Sequence, residues 1–393
     1  MKILNDEELC TGCSACAACC PSNAISMCAD VEGFLRPVID QVRCCECGKC
    51  QRTCPINYHV IREDGRRQIR AFAAAAADDA ILASSSSGGV FTLLAEYVLR
   101  ADGVVFGAAF SDDFKSVSHI AVKHRADLWK LQGSKYLQSE LGTSYEEVGA
   151  LLRENRLVCF SGTPCQVAGL RAWLGGDNPN LITVDVLCHG VPSPGVWSAY
   201  LSSVLRGRKE KLSGISFRDK SNGWSEFCIK MDFQSGRRML RKQKQDLYFR
   251  AFLSNLTLRK SCYRCQYKGT DDCSDISLGD FWGIGKINPL LNDERGVSLV
   301  VIRSGKAQQI WDNIACRLRF CEEVSLQEAG RYNTAMNHSV RPAPGREAFF
   351  KDCVQADILK SLARYAPLTP KERIRLLIPS RLKRALKKTL GRG

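Results

Sequence analysis

No apolar run in this 393-residue chain approaches the ~18 residues that a membrane-spanning helix needs, and the longest notable one is residues 71–77. Nucleotide-binding signatures are also missing. There is no Walker run, and Gly283-Ile284-Gly285 is not a dinucleotide fingerprint because no G-x-G-x-x-G follows a strand. A cysteine motif begins at Cys10 and leaves no room for a secretory leader. These absences argue against a spanning helix, a P-loop nucleotidase and a secreted protein, and we expect a cytoplasmic location.

Cysteine, by contrast, is abundant, with 21 residues. In a chain without a leader this indicates a reducing compartment and metal ligation, not disulfides. Eight of the cysteines form two copies of one spacing, each closed by proline: Cys10-x-x-Cys13-x-x-Cys16-x-x-x-Cys20-Pro21 and Cys44-x-x-Cys47-x-x-Cys50-x-x-x-Cys54-Pro55. This is the bacterial ferredoxin run, in which the fourth cysteine ligates the other of two [4Fe-4S] clusters.

The exchanged fourth cysteine assigns the ligands. Cluster one is predicted to take Cys10, Cys13, Cys16 and Cys54, and cluster two to take Cys44, Cys47, Cys50 and Cys20. The exchange ties together the halves of a module that has little core of its own. A pair of zinc knots is the alternative, which two complete four-cysteine runs disfavour. We therefore predict a two-cluster ferredoxin domain at residues 1–61, with Cys19 and Cys45 as spectators.

The remainder of the chain predicts a larger α/β region behind a polar linker at 62–70. Strands are expected at 104–110, 157–161, 181–187 and 297–303, and helices at 88–100, 144–155, 164–174 and 306–318. Ser144 and Glu147 form a candidate capping box. The strand–helix–strand order over residues 157–187 predicts a βαβ unit with parallel strands. Alternation from Phe227 to Phe233, followed by Ser235-Gly236, predicts a hairpin.

A third cysteine set follows from the βαβ unit. Cys165 and Cys188 each follow one of its strands, and ligands bind beyond the carboxyl ends of parallel strands. Cys262-Tyr263-Arg264-Cys265 adds a tight pair, so four thiolates are available for a third [4Fe-4S] cluster. The alternative is that Cys165 and Cys188 are small buried hydrophobes. Cys273 is a possible substitute for one of the four ligands.

Several segments occur in an order that is specific to one family: 86–90 (SSGGV), 132–136 (QGSKY), 161–166 (SGTPCQ), 188–194 (CHGVPSP), 217–220 (FRDK), 258–265 (LRKSCYRC) and 274–283 (SDISLGDFWG). Through them, residues 71 to about 330 resemble the coenzyme F420 hydrogenase/dehydrogenase beta-subunit family. The resemblance implies an N-terminal-like domain at 71–150 and a C-terminal-like domain at 151–330. It also strengthens the prediction of the third cluster.

The resemblance implies an FAD-containing oxidoreductase that exchanges hydride with coenzyme F420 or another hydride carrier. Its clusters would pass single electrons to a redox partner protein or ferredoxin. A non-catalytic electron-transfer subunit, with substrate chemistry on a separate polypeptide, is a second hypothesis. A zinc-loaded nucleic-acid binder is a third, and we expect no nucleic acid.

The same resemblance suggests where FAD is held. The loop 84–89 precedes a helix, so Ser86, Ser87, Gly88 and Gly89 are candidates for pyrophosphate or ring contacts. A cap and turn would have the same sequence.

Other candidates lie near the strand ends. Lys135 would hold negative charge on reduced flavin or on a cofactor tail, or be an ordinary surface lysine. Gly162, Thr163 and Gln166 lie on the crevice of Cys165. His189 would relay a proton or be structural, and Asp275 and Asp280 would position strand ends or act as acids.

The net charge of +15 is uneven, because residues 371–393 carry +8 of it. We predict a C-terminal extension at 331–393 with a basic amphipathic helix from Pro379 onward. Such a helix lies on the inner face of an anionic membrane, as a peripheral contact, or is simply solvated.

Overall fold

Strands rich in alanine, valine and phenylalanine build a mixed eight-stranded sheet at the centre of the molecule. The computed structural model describes residues 2–57, 69–269, 274–353 and 357–377. The strands in these ranges are, in chain order, β1 (Ile25–Ala29), β2 (Leu35–Ile39), β3 (Arg70–Ala76), β4 (Val104–Phe110), β5 (Val117–Val122), β6 (Val158–Gly162), β7 (Leu181–Val186), β8 (Leu212–Asp219), β9 (Cys228–Phe233), β10 (Arg238–Lys242), β11 (Ile276–Asp280), β12 (Ser298–Ile302) and β13 (Leu318–Val324).

The α-helices in the same ranges vary from one turn to three. They are α1 (Ala15–Ala18), α2 (Lys49–Thr53), α3 (Asp79–Ser84), α4 (Val90–Arg100), α5 (Ser144–Arg153), α6 (Pro164–Leu174), α7 (Pro194–Leu205), α8 (Leu247–Leu253), α9 (Ile284–Ile287), α10 (Gly305–Ile314), α11 (Leu326–Arg331), α12 (Thr334–Asn337), α13 (Arg346–Cys353), α14 (Ile358–Tyr365) and α15 (Pro370–Leu377). None of the helices in the described ranges is long and apolar enough to span a bilayer.

The central sheet has the order β13-β3-β12-β11-β7-β6-β4-β5. Neighbours from β11 to β4 run parallel, whereas β12, β3 and β13 pair antiparallel at one side and β5 at the other. Strand β3 belongs to the start of the larger region, yet it lies between β12 and β13, which come from the C-terminal part of that region. A separate three-stranded sheet has the order β10-β9-β8.

Successive side chains along the central strands point to opposite faces of the sheet, and each face packs in a separate hydrophobic core. Val105 faces the core that contains α4 and α10, whereas Val104 and Phe106 face the core that contains α5 and α6. Period-two burial of this kind is what a sheet covered by helices on both faces requires. A further core joins the three-stranded sheet to α7, α8, α13 and α14.

The structure confirms the α/β class and most of the predicted elements. Strands β6 and β7 are parallel, with Cys159 opposite Ile182, and α6 connects them. Strands β9 and β10 form the predicted hairpin. The capping-box prediction at Ser144 is wrong. Thr143 is the residue that precedes α5, and its hydroxyl donates to Glu147 Oε1 over 2.7 Å instead of capping the helix.

Two predicted segments fall wholly or largely outside the described residues. The linker predicted at 62–70 is described only from residue 69, and its last residue, Arg70, already belongs to β3. The basic helix predicted from Pro379 and the alternative ligand Cys273 also lie outside the described ranges.

The N-terminal module has a core made largely of sulfur. Buried Cys16, Cys19 and Cys50 pack with Ile25, next to the small hairpin β1–β2 and helices α1 and α2. Four such side chains bury little apolar surface. The module therefore needs another source of stability, as the repeated cysteine spacing predicts.

A buried ion pair fixes the position of α6 in the larger region. Arg171 on α6 donates through Nη2 to Asp275 Oδ2 over 3.0 Å, and both side chains are almost fully buried. The same carboxylate oxygen accepts from the backbone N–H and the hydroxyl of Thr183 on β7, at 2.8 and 2.7 Å. Asp275 thus joins three elements, which supports the strand-positioning role over that of an acid.

Replacing Asp275 with asparagine is expected to lower the free energy of unfolding by about 3–5 kcal/mol, because the buried charge of Arg171 would lose its buried partner. The control is Asp177→Asn, which removes the exposed partner of the same arginine, 2.9 Å away. That change should cost less than about 1 kcal/mol. Denaturant-induced unfolding measures both, and equal losses would contradict the assignment.

Candidate functional site

A cavity of about 640 Å³ opens where the parallel strands end. Gly162 at the end of β6, Leu187 just past β7 and Asp280 at the end of β11 line it. Its size lies within the range of about 300–1,000 Å³ that small-molecule and cofactor sites occupy, and its place follows the rule for parallel sheets. The cavity is therefore the candidate cofactor site.

The serine–glycine loop between α3 and α4 forms one wall. Ser86 Oγ accepts from the backbone N–H of Ser134 at 2.8 Å, which joins this loop to the segment that carries Lys135. Ser87 Oγ donates to the carbonyl oxygen of Val297 at 2.8 Å. Gly89 lines the cavity with a φ of +82°, a conformation that favours glycine, directly before α4. Contacts with neighbouring segments therefore fix the position of this loop on the cavity wall.

Gly88 stands apart from the other residues predicted for this loop. It does not line the cavity; its backbone is packed against β3 and β12. A Cβ at Gly88 would meet the carbonyl oxygen of Ala74 and lie 2.7 Å from the backbone nitrogen of Ser298. The glycine is needed for close packing behind the loop, so its prediction as a cofactor contact receives no support here.

A lysine missed by the sequence reasoning anchors the same loop. Lys220 Nζ donates to the carbonyl oxygens of Leu82, Ser87 and Arg295 at 2.6, 3.1 and 2.6 Å. Burial lowers the pKa of Lys220 to about 8. Its contacts cross from the three-stranded sheet to the loop, so no local sequence pattern could identify this role.

Lys135 lines the cavity, and its ammonium group is held by the backbone. Nζ donates to the carbonyl oxygens of Lys130 and Gln132 at 2.9 and 2.8 Å. Burial lowers its pKa to about 7. A lysine with this pKa changes charge near neutral pH, which suits a group that meets a developing negative charge.

Gly162, Thr163 and Gln166 also line the cavity, at the turn from β6 into α6. Gln166 Oε1 accepts from the backbone N–H of Thr163 at 2.9 Å, and the two residues form a capping box. Gln166 Nε2 donates to Ser139 Oγ at 3.0 Å. Because its side chain is occupied by these bonds, Gln166 supports the turn more than it offers donors to a ligand.

His189 lies on the cavity wall just beyond β7. Its Nε2 is 2.7 Å from Asn255 Oδ1, and an amide oxygen only accepts, so Nε2 carries the proton. Burial lowers the pKa of His189, which favours the neutral ring. The neutral ring leaves Nδ1 as a proton acceptor.

Arg218 and Asp280 form a second element of the wall that the sequence reasoning did not resolve. Arg218 donates to both carboxylate oxygens of Asp280, at 2.5 and 2.9 Å, and Trp224 Nε1 donates to the same carboxylate at 2.8 Å. The Arg218 guanidinium lies 5.2 Å from the ring of Trp282, which stacks on Trp224. Asp280 is thus an anchor for the wall residue Arg218 and for Trp224, not a free acid.

The four thiols predicted for cluster one lie around a smaller cavity of about 210 Å³. Cys10, Cys13, Cys16 and Cys54 all line it. Burial, followed by the neighbouring thiols of Cys54 and Cys10, raises the pKa of Cys13 to about 12. Buried thiols can ionise together only if positive charge is supplied, and the iron of a cluster supplies it. The residues therefore fit the predicted group.

The thiols predicted for cluster two are closer to the surface. Cys20 and Cys47 lie within electrostatic reach of each other, as do Cys20 and Cys50. Cys47 is exposed, and the backbone N–H of Lys49 lowers its pKa. Cys44, the fourth predicted ligand, is half-buried on the same segment of the module. Within this set Cys47 therefore faces solvent, whereas Cys50 is buried.

The third predicted set also comes together in the fold. Burial raises the pKa of Cys165 well above its usual value, and the nearby thiols of Cys188, Cys265 and Cys262 raise it further. Cys165 and Cys188 line the large cavity, whereas Cys262 and Cys265 come from the short 3-10 helix Lys260–Arg264 and the residue after it. In the described ranges no three His, Cys, Asp or Glu side chains are arranged to hold a single metal ion. The thiols of each predicted set are therefore farther apart than the ligands of a single metal ion would be.

Helix α6 connects the third set to the cysteine module. Cys165 lies in its first turn and Gly169 follows one turn later, a rise of about 6 Å. A Cβ at Gly169 would lie 2.9 Å from Cys13 Cβ and 2.7 Å from Tyr145 Oη. Glycine at this position lets Cys13, a predicted ligand of cluster one, approach the helix that carries Cys165.

The fold and site define an α/β chain in which a cysteine-rich module abuts a large cavity. Two family models match it, and both describe the beta subunit of coenzyme F420 hydrogenase/dehydrogenase. The model of its N-terminal part matches residues 71–144, and the model of its C-terminal part matches residues 155–324. Together they match more than half of the chain, which therefore belongs to the coenzyme F420 hydrogenase/dehydrogenase beta-subunit family. The predicted resemblance is confirmed.

A chain in the xenon-derivatised F420-reducing [NiFe] hydrogenase complex from Methanosarcina barkeri is 18% identical to this chain. The match covers 78% of this chain and 93% of that chain, with a TM-score of 0.43. Among the curated proteins, none matches.

Replacing Gly169 with alanine is expected to displace Cys13 or Tyr145 and to lower the free energy of unfolding by about 1–3 kcal/mol, as overpacking does. Iron content after anaerobic purification should fall, because Cys13 is a predicted ligand. The control is Gly176→Ala on the loop after α6, where an added Cβ meets nothing within 4 Å. Unchanged iron content in Gly169→Ala would refute the close approach.

Proposed function

We propose that this chain is an iron–sulfur flavoprotein oxidoreductase that couples hydride exchange at FAD to one-electron transfer through [4Fe-4S] clusters. Coenzyme F420 or a related carrier would be the hydride donor or acceptor. The observation that carries the proposal is the arrangement along α6. The 640 Å³ cavity and the Cys165 set lie at one end of the helix, and Cys13 packs against it one turn further on.

The cavity residues suit an elongated ligand with a negatively charged part. Ser86, Ser87 and Gly89 would bind it through the loop before α4, and Trp282 offers an aromatic face on another wall. Glycine allows the close approach, and backbone N–H groups before a helix favour phosphate. When bound, FAD exchanges an electron pair as hydride, and the clusters transfer single electrons.

The chain's own titrating groups support that chemistry. Lys135 places a cation at the wall, held by two carbonyl oxygens. His189 keeps its proton on Nε2 towards Asn255 and offers Nδ1 as an acceptor. Arg218 and Asp280 neutralise each other, so they orient the wall without adding net charge.

A non-catalytic electron-transfer subunit, with the substrate chemistry on a separate polypeptide, is the second candidate. The exposure of Cys47 suits both candidates, since a cluster near the surface exchanges electrons with a partner protein such as ferredoxin. The two candidates share the clusters and differ in whether this chain alone oxidises or reduces a hydride carrier.

Anaerobically purified protein is expected to contain FAD and about twelve iron atoms per chain, four for each cluster. Reduced F420, NADH, NADPH and reduced ferredoxin are then added in turn, and bleaching of the flavin absorbance identifies the donor. Bleaching by ferredoxin alone would favour the second candidate. Colourless protein without flavin or iron would refute both.

The variant Cys165→Ser tests the third set separately. Its iron content should fall from about twelve to about eight atoms per chain, because the N-terminal module keeps its two clusters. Cys159→Ser is the control, because Cys159 is fully buried on the neighbouring strand β6 and lies outside the predicted sets. Equal iron content in both variants would contradict the third cluster.

Lys135→Met is expected to slow flavin reduction by the hydride donor about 10²-fold at pH 6, because a charge-stabilising donor is removed. In the wild type the rate should fall as pH rises through about 7, where Lys135 loses its proton. The variant should lack this pH dependence, and Lys123→Met, at an exposed position, should retain it. A wild-type rate in Lys135→Met at pH 6 would disprove the role.

A further inference from the structure

Arg259 joins the cysteine module to the loop that carries the third thiol set. Its side chain is completely buried. Nε donates to the carbonyl oxygen of Cys10 at 2.7 Å, and Nη2 donates to that of Leu35 at 2.9 Å. Nη1 donates to Gln138 Oε1 at 2.9 Å on the wall of the large cavity. One guanidinium group therefore contacts the module and the larger region together.

The same guanidinium reaches a predicted cluster ligand. Nη2 is 3.7 Å from Cys10 Sγ, within hydrogen-bonding distance of sulfur. Arg259 also directly precedes the 3-10 helix of Cys262. It thus contacts one ligand of cluster one and begins the segment that supplies two ligands of the third set.

The module is shaped to accept this side chain. Gly12 lies between Cys10 and Cys13 with a φ of +70°, and a Cβ there would be 2.8 Å from both Arg259 Nη1 and Gln138 Nε2. The guanidinium also lies 5.3 Å from the centre of the Phe34 ring. A residue larger than glycine would push the guanidinium away from Cys10.

A second buried arginine provides a comparison. Arg346 forms two bonds to Glu32 of the module, at 2.9 and 2.5 Å, and donates to the carbonyl oxygen of Leu258 at 3.1 and 2.8 Å. It also donates to Tyr263 Oη at 3.1 Å. Arg346 therefore braces the same two parts of the molecule, and none of these described partners is a predicted ligand.

We propose that Arg259 is a positioning residue that holds cluster one next to the third cluster and raises the reduction potential of cluster one. This inference rests on the proposed function, because it requires clusters at both thiol sets. Reduction adds negative charge to a cluster, and a buried cation that donates to a ligand sulfur stabilises the reduced form. Hydrogen bonds to cluster sulfurs are among the determinants of these potentials.

The test compares wild type, Arg259→Gln and Arg346→Gln as full-length, anaerobically purified proteins. Redox titration followed by electron paramagnetic resonance gives the potential of each cluster, and the signal that changes in Cys13→Ser identifies cluster one. Arg259→Gln is expected to make reduction of cluster one about tenfold less favourable, which is a shift of about 59 mV to more negative potential. Arg346→Gln, which weakens docking only, should shift it by less than a third of that.

Two results would overturn the proposal: an unchanged cluster-one potential in Arg259→Gln with full iron content, or equal shifts in the two variants. If Arg259→Gln fails to assemble, wild-type protein with isotopically labelled guanidino nitrogens replaces it. Nitrogen hyperfine coupling to reduced cluster one is then expected, and its absence overturns the proposal. Wild-type protein without clusters would refute the proposed function instead, which keeps the two failures distinct.

Discussion

Burial of thiols in a module with almost no other core is the constraint on which the arrangement depends. Cys16, Cys19 and Cys50 occupy the place where a larger domain would have leucine and phenylalanine. Thiolates in such surroundings repel each other and lose hydration, so they ionise only when a cation replaces the lost water. Folding of the module and binding of the proposed clusters are therefore expected to depend on each other, and the spacing of the cysteines serves both.

The larger region meets the module with polar contacts at defined points. Arg259 and Arg346 satisfy carbonyl oxygens at the contact, and Gly169 removes the side chain that would separate Cys13 from α6. Buried arginines of this kind specify geometry, because a shifted module would leave their donors without acceptors. Contacts of this type suit electron transfer, in which the distance between the proposed redox centres matters more than the surface area buried between the module and the larger region.

Much of the fold could be predicted from the sequence, because its signals are local. The parallel pairing of β6 with β7 follows from the length of the connection, and the β9–β10 hairpin follows from alternation around Ser235-Gly236. The grouping of Cys165 with Cys262 was predicted from the strand ends and the Cys-x-x-Cys pair, and the family resemblance strengthened that prediction.

The packing and pairing roles that the sequence did not reveal share one physical origin. Glycine before a helix suggests a phosphate site, but Gly88 is required by packing against β12, which is more than 200 residues away in sequence. The Arg218–Asp280 pair and the anchor formed by Lys220 likewise join distant segments. Steric and electrostatic needs set by tertiary neighbours leave no trace in the local pattern.

The position of β3 has a consequence for synthesis of the chain on the ribosome. This apolar strand emerges early, yet both of its partners, β12 and β13, are translated more than 200 residues later. At about 5–20 residues per second, its two edges remain without partners for roughly 10–50 s. During that interval a nascent chain exposes a template for aggregation, which gives holding chaperones a defined segment to protect.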